Sequence, residues 1–446
     1  MKTVMRKPNI IILIIDTLRE DYSSGLEALR ELGFAKYENA IAPAPWTLPS
    51  HVSLITGLYP SQHGIHEAYG VYADRELMEL STQRLSTLNH GIIGELMDNG
   101  YSVYVTSANP FISPLYGFTK FTENLITGYT YILCGSYEEC REYDRLSSMV
   151  KDDGYVSTTL KLIREKNLNL LSKAFKFYVK ARFIKLAAGL GIYGTMEKGS
   201  RIIMDFLSKK KLSEPFFLFI NIMEAHGPYV PKDLDGQVSF NAFFNAVFMG
   251  KLDNRVVRIW QGNYPRHATY ATKRAVEMVK VLRSYLDDSL IIVTSDHGEL
   301  LGDGGIYHGY FLKDGLLKVP LWVKWPSWVK PPRQVGSFIS LVQVPSIIRA
   351  IANNEEPKVG VNVAIAESFG STLPSTLSRW YSELPSETLI RVFAHRVRVY
   401  TRHGVATYNV NLGEFEEVSG DEDELMKMTR SLINYLDSSG VVPTED

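Results

Sequence analysis

Three short apolar runs in this chain each end abruptly on side chains capable of chemistry. Asn9 to Ile15 ends on Asp16, Pro215 to Ile222 leads to Glu224 and His226, and Leu290 to Ser295 leads to Asp296 and His297. Their β-branched and aromatic composition predicts buried strands. In an open α/β sheet, sites form outside the carboxyl ends of the strands, so three such ends converging is a site hypothesis in itself.

Between these runs the period changes. Ser86 to Asn99 carries apolar residues at helical spacing and stops at Gly100, after which Tyr101 to Thr106 reads as a further strand. Alternating strands and helices predict an α/β fold, with a mostly parallel central sheet and helices on both faces. From about 126 to 212 strand signals thin out, and a basic, aromatic helical stretch runs from Leu170 to Leu190. This region is expected to be a helical insertion in a catalytic domain spanning 1–345. Beyond it, short strand-like runs at Leu389 to Phe393 and Arg398 to Tyr400, then a polar helix from about Asp421 to Leu436, predict a small α+β subdomain over 346–446.

Charge narrows the function classes. Lys+Arg number 48 against 49 Asp+Glu, so no global field draws in nucleic acid or an anionic membrane, and any anion must be gripped locally. Lys2, Arg6 and Lys7 before an apolar run imitate a signal peptide, but the run stops at Asp16 without a small-residue cleavage site and is too short to span a bilayer. The expectation is a cytoplasmic protein. Two cysteines, Cys134 and Cys140, are too few for a disulfide scaffold and poorly spaced for zinc; they read as two thiols or one local disulfide.

Asp16 is the first acid after an all-apolar strand. A carboxylate there needs a cation or backbone N–H groups, the bland alternative being a helix cap. In Pro45-Trp46-Thr47-Leu48-Pro49-Ser50-His51, two prolines frame a hydroxyl residue just before a helical run. Thr47 is thereby expected at a helix N-terminus, where backbone donors favour an alkoxide or a bound anion, though a threonine there is also a common cap. Ser50 and Ser53, one and two turns on, are expected to cap or back-bond. In Thr294-Ser295-Asp296-His297-Gly298-Glu299 a strand runs into a carboxylate with an adjacent imidazole and a glycine suited to a tight turn. Carboxylate plus imidazole suits zinc, manganese or iron; carboxylate alone tolerates magnesium or calcium.

In order along the chain, these pieces resemble the sulfatase branch of the alkaline phosphatase superfamily. The early Asp16 and the Thr47-to-Gly57 motif are followed by Tyr59-Pro60, His63-Gly64 and His226-Gly227-Pro228-Tyr229. Asp296-His297-Gly298-Glu299, His308-Gly309 and Val319-Pro320-Leu321 complete the series. The resemblance implies an alkaline phosphatase-like fold and a metal-dependent ester hydrolase. It makes Asp16, Asp296 and His297 metal ligands, Thr47 both nucleophile and ligand, and His226 and His308 the residues facing the substrate anion. One divalent ion (Mn, Zn, Ca or Mg) is expected, and Glu224, His226 and His308 are the convenient candidates for a second.

The departures from the family pattern steer the choice of reaction. Sulfatases of this family carry a cysteine or serine, converted to formylglycine, where Thr47 stands; threonine cannot follow that route. They also have a second acid where this chain has Thr17, an arginine where it has His51, and a Gly-Lys-Trp-His-type element where it has Ala108-Asn109-Pro110. Arg19, His51 and Asn109 are therefore expected just behind the ligands. Thr47 resembles instead the phosphodiesterase, phosphonate hydrolase and phosphoethanolamine-transferring relatives. A phosphoester is the expected substrate class, with a sulfate ester or transfer to lipid or glycan as the alternative.

Two other features compete. Gly189 to Gly194 matches a dinucleotide-binding glycine pattern, but that fingerprint needs a preceding strand and the residues before it have helical spacing. Lys173, Lys176, Lys180, Arg182 and Lys185, interleaved with Phe175, Phe177, Tyr178 and Phe183, suit either a helix lying on a membrane surface over about 170–190 or a core-facing helix with a solvated basic face.

Overall fold

Strand β1 (Asn9–Ile15) lies in the middle of an eight-stranded sheet, buried along its whole length. The computed structural model describes residues 7–128, 136–189, 196–229 and 236–439. The other strands of this sheet are β2 (Ala35–Ile41), β3 (Ser102–Ser107), β4 (Glu123–Ile126), β5 (Phe216–Ile222), β6 (Ser289–Thr294), β9 (Lys318–Lys324) and β10 (Ile339–Ser340). Strands β7 (Leu300–Leu301) and β8 (Ile306–Tyr307) form a separate hairpin.

The order across the main sheet is β10-β2-β9-β6-β1-β5-β3-β4. All neighbours are parallel except those of β9, which runs antiparallel to β2 and β6. The side-chain period of two divides β1 between two cores. Ile11, Leu13 and Ile15 pack under the long helix Asn254–Val281, while Ile10, Ile12 and Ile14 pack against the helices Thr47–Thr56 and Val344–Ala352. Helices on both faces leave the carboxyl edge of the sheet as the place where polar side chains gather.

A second, antiparallel sheet is built from β11 (Ala364–Ser368), β12 (Arg396–Thr401), β13 (Gly404–Asn409) and β14 (Glu414–Gly420), in that order. The helix Glu422–Ser439 follows it. Between β4 and β5 lie the helices Tyr137–Arg164, Leu168–Gly189 and Ser200–Lys209, the first kinked at Gly154.

Two local expectations fail. Leu389 to Val392 is the end of the helix Ser386–Val392, and Phe393 caps it: Pro385 and the polar Ser386-Glu387 start a helix that buries Val392 but leaves Ile390 exposed. Ser86 to Asn99 is not one helix but the end of Glu76–Thr87 and all of Ile92–Asp98. Asn89, His90 and Gly91 take positive φ at the break, and Gly91 passes so close to Ile55 that a Cβ would stand 2.2 Å from its carbonyl oxygen. Cys134 and residues 190–194 of the glycine pattern lie outside the described residues, and the segment leading into that pattern is helix, not strand. Among the described residues no helix is long and apolar enough to cross a membrane.

Candidate active site

Strands β6, β1, β5 and β3 are consecutive in the sheet, and each delivers a polar residue at or just beyond its carboxyl end. Asp16 follows β1, Asp296 and His297 follow β6, Asn221 lies in β5, and Asn109 lies just past β3. Thr47 opens the helix Thr47–Thr56. Asp16, Thr47, Asp296 and His297 are all buried.

One oxygen or nitrogen from each of Asp16, Asp296 and His297 falls within 4.8 Å of the others. His297 Nε2 lies 3.4 Å from Asp296 Oδ2, 3.8 Å from Asp16 Oδ1 and 3.4 Å from Thr47 Oγ1. Its Nδ1 donates to the Gly298 carbonyl at 2.8 Å, which leaves the Nε2 lone pair turned toward the carboxylates. Asp16 Oδ1 and Asp296 Oδ2 are buried without a hydrogen-bond partner. Two orphaned carboxylate oxygens beside an imidazole lone pair cost several kcal/mol unless a cation joins them, so the group fits a divalent metal ion.

The electrostatics agree. Burial pushes the Asp16 carboxyl up, but His226, His297, His51 and the Asn109 amide together outweigh it and hold it below the usual carboxylate range. Burial and the charge of Asp16 push Asp296 well above that range. Two adjacent carboxylates cannot both ionise in a dry site without a compensating charge. Burial lowers His297 to about 3 and His308 to about 4, keeping both imidazoles neutral.

Around the donors the contacts are specific. Asn109 Nδ2 donates to Asp16 Oδ2 at 2.8 Å and to Thr47 Oγ1 at 3.3 Å, its orientation fixed because Phe111 N donates to its Oδ1. His51 Nδ1 donates to the Thr47 carbonyl at 2.8 Å, and Asn221 Nδ2 reaches both His51 Nε2 and Asp16 Oδ2. Thr17 stands at φ 61°, strained for a β-branched residue, and in that turn its N–H reaches Asp296 Oδ1. Arg19 points away: its guanidinium binds Asp21, Asp303 and the Glu299 carbonyl.

His226 and His308 stand on the open side, ring centroids 5.0 Å apart. With Trp46, Thr47, Asn109, Phe111, Phe243 and Tyr307 they line a cleft of about 210 Å³. His308 Nδ1 meets Glu299 Oε1 at 3.0 Å, and Tyr229 donates to the other oxygen of Glu299 at 2.6 Å. Behind His226, the buried Lys198 ammonium bonds the His226 carbonyl.

Ser50 and Ser53 neither cap nor back-bond. Ser50 Oγ donates to the Asp296 carbonyl at 2.6 Å, and Ser53 Oγ lies 3.1 Å from His63 Nε2. Both are buried on a helix whose neighbours supply better partners than its own carbonyls. Glu224 does not join the donor group: it accepts from the backbone N–H of Lys198 and Ser200. The described residues thus gather one group that could hold a metal ion. Sequence reasoning missed Asn221, Lys198 and the bracing of His308 by Glu299 and Tyr229. Asn221 carried the clearest signal, a lone amide near the end of a buried apolar strand.

A family model described as Sulfatase matches residues 8–352. An ulvan-active sulfatase of Formosa agariphila is 25% identical over 150 residues, covering 33% of this chain and 28% of that relative. The match therefore spans less than a third of the relative's own length. Among solved structures, a phosphonate monoester hydrolase from Silicibacter pomeroyi matches with a TM-score of 0.57 at 17% identity, over 97% of this chain and 95% of that one. A 2-O GAG sulfatase matches with a TM-score of 0.59 at 11% identity, over 99% and 95%. At such identities the likeness speaks for the fold alone, which is alkaline phosphatase-like.

Proposed function

This chain belongs to the sulfatase family of the alkaline phosphatase superfamily, and from that premise we propose that it hydrolyses phosphate esters with Thr47 as the attacking nucleophile. The observation that carries this reading is the threonine itself. Its hydroxyl sits beside His297 Nε2 and Asn109 Nδ2, at the mouth of the only metal-binding group among the described residues.

Asp16, Asp296, His297 and Thr47 would hold one divalent ion. Such an ion supplies charge neutralisation at a phosphoryl oxygen and lowers the pKa of a neighbouring hydroxyl. The protein's own residues do the rest. Asn109 orients Thr47 Oγ1 and Asp16 together, and the helix opening at Thr47 points backbone N–H groups toward an anion. Thr47 Oγ gives up its proton to water in the cleft and bonds to phosphorus as the bond to the leaving oxygen breaks; a second water later cleaves the threonine ester, and Oγ takes a proton back. His226 and His308 line the cleft where the leaving oxygen departs and takes up a proton. Trp46, Phe111, Phe243 and Tyr307 give that cleft an aromatic wall that excludes water and accepts an apolar substituent.

A second reading, sulfate ester hydrolysis, is favoured by the family match and by the ulvan-active relative. A screen of aryl phosphate diesters, phosphonate monoesters, phosphate monoesters and sulfates, each with Mn, Zn, Ca and Mg, separates the two. Turnover of a phosphorus ester above that of the matching sulfate supports the first reading; the reverse order overturns it.

A further inference from the structure

The helix Leu168–Gly189 turns a line of large apolar side chains outward. Leu170 and Phe177 are buried against the helix Tyr137–Arg164. On the opposite face Leu168, Phe175, Val179 and Leu186 follow one another at steps of seven, four and seven residues, which aligns them along the helix. All four are exposed, Phe175 at 70%, and Phe183 beside them at 67%. Aromatic and branched side chains held together in water mark a contact surface.

Charge decides what covers it. Between 168 and 189 the chain has five Lys and Arg residues and neither Asp nor Glu. A two-fold contact between copies would set this basic helix against itself. An anionic headgroup layer offers the opposite charge and an apolar phase beneath it. Lys173 and Lys176 are salt-bridged to Glu142 and Glu139 on the neighbouring helix, so they flank the apolar line rather than interrupt it. Arg182 lies over the Tyr178 ring.

We infer that the outer face of the helix Leu168–Gly189 is a peripheral docking surface for an anionic lipid bilayer. The inference does not depend on which ester the active site cleaves. Cosedimentation of the full chain with vesicles of phosphatidylglycerol and phosphatidylcholine, against phosphatidylcholine alone, tests it. Binding is expected on the mixed vesicles, about tenfold weaker on the neutral ones, and about tenfold weaker on the mixed ones after Phe175→Ser with Phe183→Ser. Both side chains being exposed, the variant should keep the parent's circular dichroism and thermal midpoint. Failure of the parent chain to bind mixed vesicles at low salt, or equal binding by the variant, overturns the inference. So does a stable dimer in sedimentation equilibrium that the double substitution dissolves, which would assign the face to a second copy.

Discussion

The hydroxyl of Thr47 lies 3.4 Å from Nε2 of His297, across 250 residues of chain. That approach joins a helix N-terminus to a strand end, and Ser50 secures it by donating to the carbonyl of Asp296 one turn further along the helix. The distance of Thr47 from the Asp16, Asp296 and His297 group is therefore fixed by packing between two buried elements.

Replacing Asp296 by Ala should empty the metal site without unfolding the protein. The carboxylate accepts from Thr17 N and His297 N, and those bonds are lost, but so is its repulsion with Asp16. Bound metal measured by plasma emission should fall from about one ion per chain to below about a tenth. Full metal content in the folded variant would remove Asp296 from the ligand set.

Gly298→Ala should damage the site through the backbone. A Cβ there would stand 2.1 Å from the Gly315 carbonyl oxygen and 2.9 Å from Arg19 Cγ. The Arg19 chain cannot swing aside easily, being held by Asp21 and Asp303, and Gly298 N is bonded to the Leu316 carbonyl at 2.7 Å. The loss should be about 1–3 kcal/mol of stability in urea unfolding, with metal affinity reduced alongside. An unchanged urea midpoint would show that the loop yields freely.

Glu67 should make stability depend on pH. Its carboxylate accepts from Trp46 Nε1 at 2.6 Å and from Phe369 N at 2.9 Å, yet burial outweighs these bonds and pushes it up to about 7. A folded pKa raised above the unfolded 4.5 favours the neutral carboxyl, so its contribution is whole below pH 4.5 and is lost as pH rises through 7. Urea unfolding of the parent should lose up to about 3 kcal/mol across that window, a loss that Glu67→Gln should remove. Parallel pH profiles for the two proteins would contradict this.

The strand ends were legible because chemistry there interrupts a long apolar run, as at Asp16 and Asp296. Thr47 was legible because its flanking prolines announce a helix start. Gly298 was read for the wrong reason: it is needed for the close approach of Gly315 and has no positive φ. Partners chosen by tertiary packing left no local trace, so Ser50, Ser53 and Lys198 could not be placed. The same holds for the Leu168–Gly189 helix, whose apolar residues lie on two opposite faces, so spacing alone does not say which face meets solvent.

Thr47 is proposed to form a covalent ester during turnover. Rapid acid quench with an aryl phosphodiester, followed by mass spectrometry of the peptide holding Thr47, tests it most directly. The expected result is an adduct on Thr47 that Thr47→Ala cannot form, with kcat in that variant down by about a thousandfold or more and Thr47→Ser retaining measurable activity. Near-normal turnover by Thr47→Ala, with no adduct on the parent enzyme, would contradict it.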